Sequence, residues 1–353
     1  MDKIILKYRP EEFAVHENIS MQFNKDGNYA YYNLYKIGYS TFDAVSIISE
    51  YFDLPAESIR YAGLKDEDGC TQQSFSVVDL LDEKRLTHFN QANQNQEALM
   101  KITFLGRGST SLRIGGLNGN GFLVTVRNIS SELNHIQKSS ITSLYLNYYG
   151  EQRFGLPKEK KLTHLIGEAL IHNNFDKALN LVKQSGAMES KSAKLFVGNS
   201  KDFFKSIDSR LFLFYLSAYS SFQWNMDLSK LLTSLSKPKD LHHSHEEGIP
   251  YVYAKKKKQL VKLMMKNEKL EYKRYSVGED LSIEEKIGFR PTVLQTNIRV
   301  QDIEEDENSK GKFKFKMSFF LFKGSYATTM LRQFIELNRI ADDKLYTTNK
   351  VAL

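Results

Sequence analysis

Cysteine is almost absent: the chain of 353 residues has one, Cys70. A single thiol cannot build an intrachain disulfide framework, and it cannot supply a paired-cysteine zinc site. Long apolar runs are missing too. No stretch approaches the ~18 apolar residues of a membrane-spanning helix. The start, MDKIILKYRPEEF, has only Ile4, Ile5 and Leu6 as an apolar run before Lys7, short of what a signal peptide requires. Phosphate-cradling loops are lacking as well. Neither G-x-G-x-x-G leading into a helix nor G-x-x-x-x-G-K-[ST] occurs. The expectation from these absences is a reduced, cytoplasmic protein with no membrane partner.

What is present fits a globular chain, with 41% hydrophobic residues and 12% aromatic ones. Its length allows two domains and a sizeable core. Lysine and arginine number 49 against 42 acids, a net charge of +7. That moderate excess suggests a polyanionic partner.

The first 155 residues read as a mixed α/β unit. Ala44, Val45, Ile48 and Phe52 recur at helical spacing behind a Ser40 or Thr41 cap. Met100, Ile102 and Phe104 alternate as a half-buried strand, and FLVTVRN at 122–128 predicts another. Ile141, Leu144, Tyr145 and Tyr148 form an apolar stripe that predicts a helix, closed by NYYGEQRFG. From residue 156 the character is helical. Phe175, Ala178, Leu179 and Val182 mark an amphipathic helix ending at Gly186, and RLFLFYLSAYSSFQWNM at 210–226 predicts a buried central helix. Polar, poorly periodic sequence covers 236–248, followed by a lysine-rich stretch at 255–276.

The last segment returns to strand character. Phe313, Phe315, Met317, Phe319 and Leu321 alternate with Lys314 and Lys316, and Ala327, Met330, Leu331 and Phe334 then line one helix face. A strand-type unit of residues 1–155 and 286–353, interrupted by an inserted block at 156–285, is the expected organisation.

Several stretches could carry chemistry. YAGLKDEDGCTQQ, residues 61–73, crowds Asp66, Glu67 and Asp68 into one turn. A calcium loop would need a third ligand where Cys70 stands and a glutamate where Val77 stands, so metal binding is disfavoured. Read alone, the stretch is a solvated turn or the seat of a reaction. His242, His243 and His245 with Glu246 and Glu247 could ligate a metal, but their polar surroundings read as a disordered loop. The lysines from Lys255 onward form a solvated helix face or a phosphate contact, with Tyr272 and Tyr275 among them. GGLNGNGF feeds a strand rather than a helix, which favours close backbone approach.

In combination these stretches resemble the TruD family of pseudouridine synthases. YAGLKDEDGCTQQ is similar to its G-x-K-D-x-x-A-x-T-x-Q signature at Gly63, Lys65, Asp66, Thr71 and Gln73. LRIGGLNGNGF, NYYGEQRFG, KYRPEEF, GSYATTMLRQFIE and the helical LSAYSSFQWN resemble further blocks of the family, spread from residue 7 to about 336. The fold implied is α+β, a mixed, mostly antiparallel sheet flanked by helices, with an inserted, mainly helical α+β domain.

The activity implied is cofactor-free isomerisation of a uridine in tRNA, at position 13 of the D arm, by a monomer without bound metal. The resemblance makes Asp66 the nucleophile and Lys7 the active-site lysine, a candidate to keep that carboxylate ionised. Asn120 and Phe122 match residues lining the base pocket, an amide for hydrogen bonding and a ring for stacking. Phe13 and Tyr326 match further pocket positions, and Arg153 contacts phosphate, organises the pocket or forms a structural salt bridge. The target base must leave its stack to be detached at N1 and rejoined through C5. Three departures stand out: Glu67 and Asp68 replace positions that are often basic, Gly69 replaces alanine, and Tyr326 replaces phenylalanine. Rival readings are a non-catalytic RNA-binding protein on this scaffold and a metal-dependent nuclease.

Overall fold

The computed structural model describes residues 4–65, 67–93, 98–130, 140–155 and 159–339. In chain order the elements are β1 (Phe13–Asn18), β2 (Tyr29–Ile37), α1 (Thr41–Phe52), β3 (Arg60–Tyr61), β4 (Cys70–Val78) and α2 (Glu83–Ala92). There follow β5 (Leu99–Gly108), β6 (Gly119–Ile129), β7 (Ser140–Leu146), α3 (Thr163–Ile171), α4 (Phe175–Ser185), α5 (Ser190–Leu195) and α6 (Ser200–Ser206). The chain continues with α7 (Ser209–Ser234), β8 (Leu241–Glu246), β9 (Ile249–Ala254), α8 (Lys257–Lys266) and β10 (Lys269–Val277). It closes with β11 (Ile283–Pro291), β12 (Val293–Glu305), β13 (Phe313–Phe322) and α9 (Ala327–Arg339).

By internal contacts the chain divides into two units. One comprises Met1–Ser143, Thr296–Gly324 and Leu345–Leu353; the other comprises Leu144–Gln295 and Ser325–Lys344. The change of character in the sequence lies near residues 156 and 286, whereas this division falls earlier at the first crossing and later at the second.

The large sheet runs in the order β5-β2-β4-β1-β6-β13-β12-β7, with β3 paired to β4. β1 and β4 pair in parallel, Ala14 opposite Cys70, and the β1–β6, β12–β13, β6–β13, β2–β4, β2–β5 and β3–β4 ladders are antiparallel. The fold is therefore α+β with a mixed, mostly antiparallel sheet. Helix α1 starts on a capping box, in which Ser40 Oγ accepts from Asp43 N at 3.1 Å and Asp43 accepts from Ser40 N at 3.2 Å. Its buried Ala44, Ile48 and Phe52 pack with Tyr32, Leu34, Phe75 and Ile102 of the sheet and Phe89 of α2. Each fully buried side chain of the size of Ile48 contributes about 1.5–3 kcal/mol. β13 buries Phe315, Met317, Phe319 and Leu321, as its alternation predicts.

The second unit is mainly helical. α7 is buried at Phe212, Tyr215 and Leu216 within one core and at Trp224, Leu228 and Leu232 within another. α4 ends where Gly186 adopts the left-handed conformation, φ +79. No helix among the described residues is long and apolar enough to cross a membrane.

Three local expectations are corrected. The stripe from Ile141 to Tyr148 is not a helix; Ser140–Leu146 is strand β7. Leu144, Tyr145 and Leu146 are all buried, and a short strand covered on both faces loses the alternation that separates strand from helix. The polar histidine stretch is not a loop. It forms β8, paired antiparallel to β9 across the two-residue turn Glu247-Gly248, where both residues have positive φ. That turn matches the twist of a hairpin, and the buried Tyr251 and Tyr253 of β9 supply the apolar face that β8 lacks. The lysine-rich stretch is not one helix either, because helix α8 gives way to strand β10 at Lys269.

Candidate active site

Asp66 lies outside the described residues, but its neighbours on both sides are held. Lys65 N donates to Thr41 Oγ1 at 2.9 Å, and Gly38 N donates to Glu67 O at 3.3 Å. The Lys65 ammonium donates to Glu17 Oε1 at 2.7 Å, while Ser74 N donates to Glu17 Oε2 at 3.0 Å. Glu67 and Asp68 are exposed, so they are solvated. Gly69 is buried beside β1, and a Cβ there would sit 2.5 Å from the Phe13 carbonyl oxygen. Glycine is thus required by close approach, and alanine would force the backbone apart.

Lys7, Phe13, Asn120 and Phe122 come together on the first unit. Lys7 has φ +56, in the left-handed region, and its ammonium lies 4.5 Å from the Phe13 ring centroid. A buried ion cluster holds the segment on either side of it. Arg127 pairs through its backbone with Ile5, and its guanidinium reaches Glu12 at 2.6 Å, Asp306 at 2.8 Å and Glu307 at 3.0 Å. Bonding to these acids, Glu12 foremost, raises the Arg127 pKa above the usual range.

Phe13 is 2% exposed and meets Phe122 edge to face at 6.1 Å. Phe122 is half-buried and stacks on Phe319 at 5.1 Å. Phe13 is therefore packed in the core, whereas part of the Phe122 ring is left uncovered. Asn120 lies two residues along β6 on the same face, opposite Glu17 of β1 and Leu321 of β13. Its side-chain oxygen is buried and has no hydrogen-bond partner. A buried acceptor left unmade costs about 1–3 kcal/mol.

Arg153 and Tyr326 belong to the second unit. Arg153 donates to Ser217 Oγ at 2.7 Å and Ser221 Oγ at 3.3 Å, and its guanidinium lies 5.1 Å from the Phe214 ring. Among the described residues it has no ion pair with a carboxylate. Tyr326 packs on Gly150, where a Cβ would come within 2.8 Å of its ring, and meets Tyr149 at 6.1 Å. Burial raises the Tyr326 phenol, opposed by the nearby Arg153 and Arg290.

Sequence reasoning missed Glu17 and Arg290. Glu17 closes the alternation Phe13, Val15, Glu17 on the inner face of β1, a carboxylate at a core register position. Arg290 is buried 4.0 Å from the Tyr149 ring and 5.2 Å from that of Trp224, and it donates to Asn147 O at 2.7 Å. The three histidines of β8 do not converge, because alternation puts His242 on one face and His243 and His245 on the other.

The family model described as tRNA pseudouridine synthase D (TruD) matches residues 3–203, more than half of the chain. A Methanocaldococcus jannaschii protein named "Probable tRNA pseudouridine synthase D 2" is 27% identical, over 93% of this chain and 90% of its own length. The tRNA pseudouridine synthase D of Aquifex aeolicus is 28% identical, over 94% of this chain and 97% of its own. A solved Methanosarcina mazei structure titled "Putative tRNA pseudouridine synthase D (TruD)" shares the fold with a TM-score of 0.58 and 21% identity, covering 95% of this chain and 94% of that one. The chain belongs to the TruD family of tRNA pseudouridine synthases, a family of isomerases.

Proposed function

We propose that the protein converts a uridine of tRNA, position 13 in the D arm, to pseudouridine, with Asp66 as the nucleophile acting on a flipped-out base. The reaction breaks the bond from ribose C1′ to uracil N1 and makes one from C1′ to C5. The proton leaving C5 is matched by the proton that N1 gains, so no co-reactant is consumed. A carboxylate suits this exchange because it can attack carbon, or balance a cation-like sugar, and then depart. Lys7 provides positive charge that favours an ionised carboxylate.

The observation that carries the reading is the orphaned oxygen of Asn120 beside the exposed ring surface of Phe122. Uracil offers what both lack: a flat π face for the ring and an N3–H donor for the amide oxygen. A base can reach them only by leaving its stack. Arg153, held by two serines and a ring, suits a backbone phosphate.

The test is tRNA labelled with tritium at uridine C5, incubated with wild type and Asp66→Asn. Wild type should release tritium and yield pseudouridine at one D-arm site, and Asp66→Asn should do neither. Activity in Asp66→Asn would refute the nucleophile; binding without release by wild type would favour an RNA-binding protein.

A further inference from the structure

Ile5, Tyr8 and Glu12 lie on either side of Lys7, and all of them touch Arg127 of β6. Ile5 and Arg127 exchange both backbone hydrogen bonds, at 3.2 and 3.0 Å. Strand β1 begins with Phe13 opposite Val124, so Ile5 takes up the pairing of β6 beyond the start of β1. The Arg127 guanidinium lies 5.3 Å from the Tyr8 ring centroid. Glu12, in the short turn Pro10–Glu12 that leads into β1, accepts from Arg127 Nε at 2.9 Å and from Nη2 at 2.6 Å.

The same guanidinium is fixed from its other side. Asp306 accepts from Arg127 Nη1 at 2.8 Å and from Asn128 N at 3.0 Å, and Glu307 accepts from Arg127 Nη2 at 3.0 Å. Both acids stand in the connection between β12 and β13, where Lys314 of β13 pairs with Glu307 at 2.6 Å. The side chains of Arg127 and Asp306 are only 4% and 0% exposed. A buried ion network stabilises little more than apolar packing of the same volume would, whereas forked hydrogen bonds fix direction. Lys7, with φ +56, needs such fixing: a long side chain rarely adopts that conformation, which persists only where the surroundings hold it.

We propose that Arg127 is a positioning residue for the reaction, a role that rests on the reading of Lys7 as the active-site lysine. Arg127 is buried and acts through Ile5, Tyr8 and Glu12. These hold the Lys7 backbone in its left-handed conformation and so set where the ammonium stands beside the Phe13 ring.

Single-turnover rates and tRNA affinities would be measured for wild type, Glu12→Gln, Glu307→Gln, Lys7→Met and the double variant Glu12→Gln with Lys7→Met. In Glu12→Gln the segment is loosened while Asp306 and Glu307 still neutralise Arg127. The reaction should slow about 10- to 100-fold, with tRNA affinity changed by less than about threefold. Glu307→Gln takes a carboxylate from the same guanidinium away from the Lys7 segment, and its rate should stay within about threefold of wild type. In the Lys7→Met background, Glu12→Gln should cost no more than about a further twofold, because the group it positions is gone. An unchanged rate in Glu12→Gln overturns the proposal, and so does its full loss repeated in the double variant or matched by Glu307→Gln. If Glu12→Gln does not fold, Glu12→Asp, which keeps the charge and shortens the reach, takes its place in the same comparison. A wild-type rate in Lys7→Met refutes the underlying reading of that lysine instead.

Discussion

The Lys65 ammonium and the Glu17 carboxylate meet at 2.7 Å with side chains only 3% and 2% exposed. Removing one partner strands the other charge out of water, which costs about 3–5 kcal/mol. Glu17→Gln should lower unfolding free energy by about that amount in urea titrations. Glu17→Gln with Lys65→Met should recover part of the loss. If the double variant is less stable than either single one, the pair is not the source of the effect.

Gly69→Ala should destabilise the protein by about 1–3 kcal/mol, the usual cost of overpacking a tight site. The added methyl group meets the Phe13 carbonyl, and backbone cannot swing aside as a flexible side chain can. Thermal unfolding of Gly69→Ala beside Gly115→Ala would separate this from general glycine effects. Gly115 has open space around its missing Cβ and φ +81, so only strain of conformation acts there.

His164 introduces a pH dependence of stability. Its ring stacks on Phe222 at 4.3 Å, its Nδ1 has no hydrogen-bond partner, and burial lowers its pKa from 6.5 to about 4. The unfolded chain therefore binds the proton more readily than the folded one. Stability from the neutral ring is fully present above the unfolded value and is lost as pH falls from there toward about 4. Between about pH 7.5 and about pH 5 the loss should be on the order of 2 kcal/mol. Denaturant titrations at both pH values should show that difference shrink in His164→Phe.

The lysine-rich stretch narrows as a phosphate contact. Lys256 lies 3.4 Å from Asp240, and Lys262 donates to Leu235 O at 2.9 Å. Lys257 and Lys258, in the first turn of α8, remain the better candidates. Lys257→Gln with Lys258→Gln should weaken tRNA binding and reduce the salt slope by about 1 per lost phosphate contact. Filter binding across a salt series would show it; an unchanged slope would remove the helix from the RNA interface.

Much was legible without tertiary information. Alternation places Phe315, Met317, Phe319 and Leu321 inside β13, and helical spacing with a Ser40 cap places α1, because those periodicities and caps are local. The ordered blocks identified the family and named Asn120 and Phe122. What the sequence could not show was which polar groups lose water. Strand β7 resembled a helix because burial on both faces erases its period, and β8 resembled a loop because its apolar partner lies in another strand. Lys65 and Glu17 carry the same charges in the sequence as any surface lysine or glutamate. Only pairing across the sheet withdrew them from solvent beside the acidic loop, and desolvation makes a charge there matter far more than one left in water.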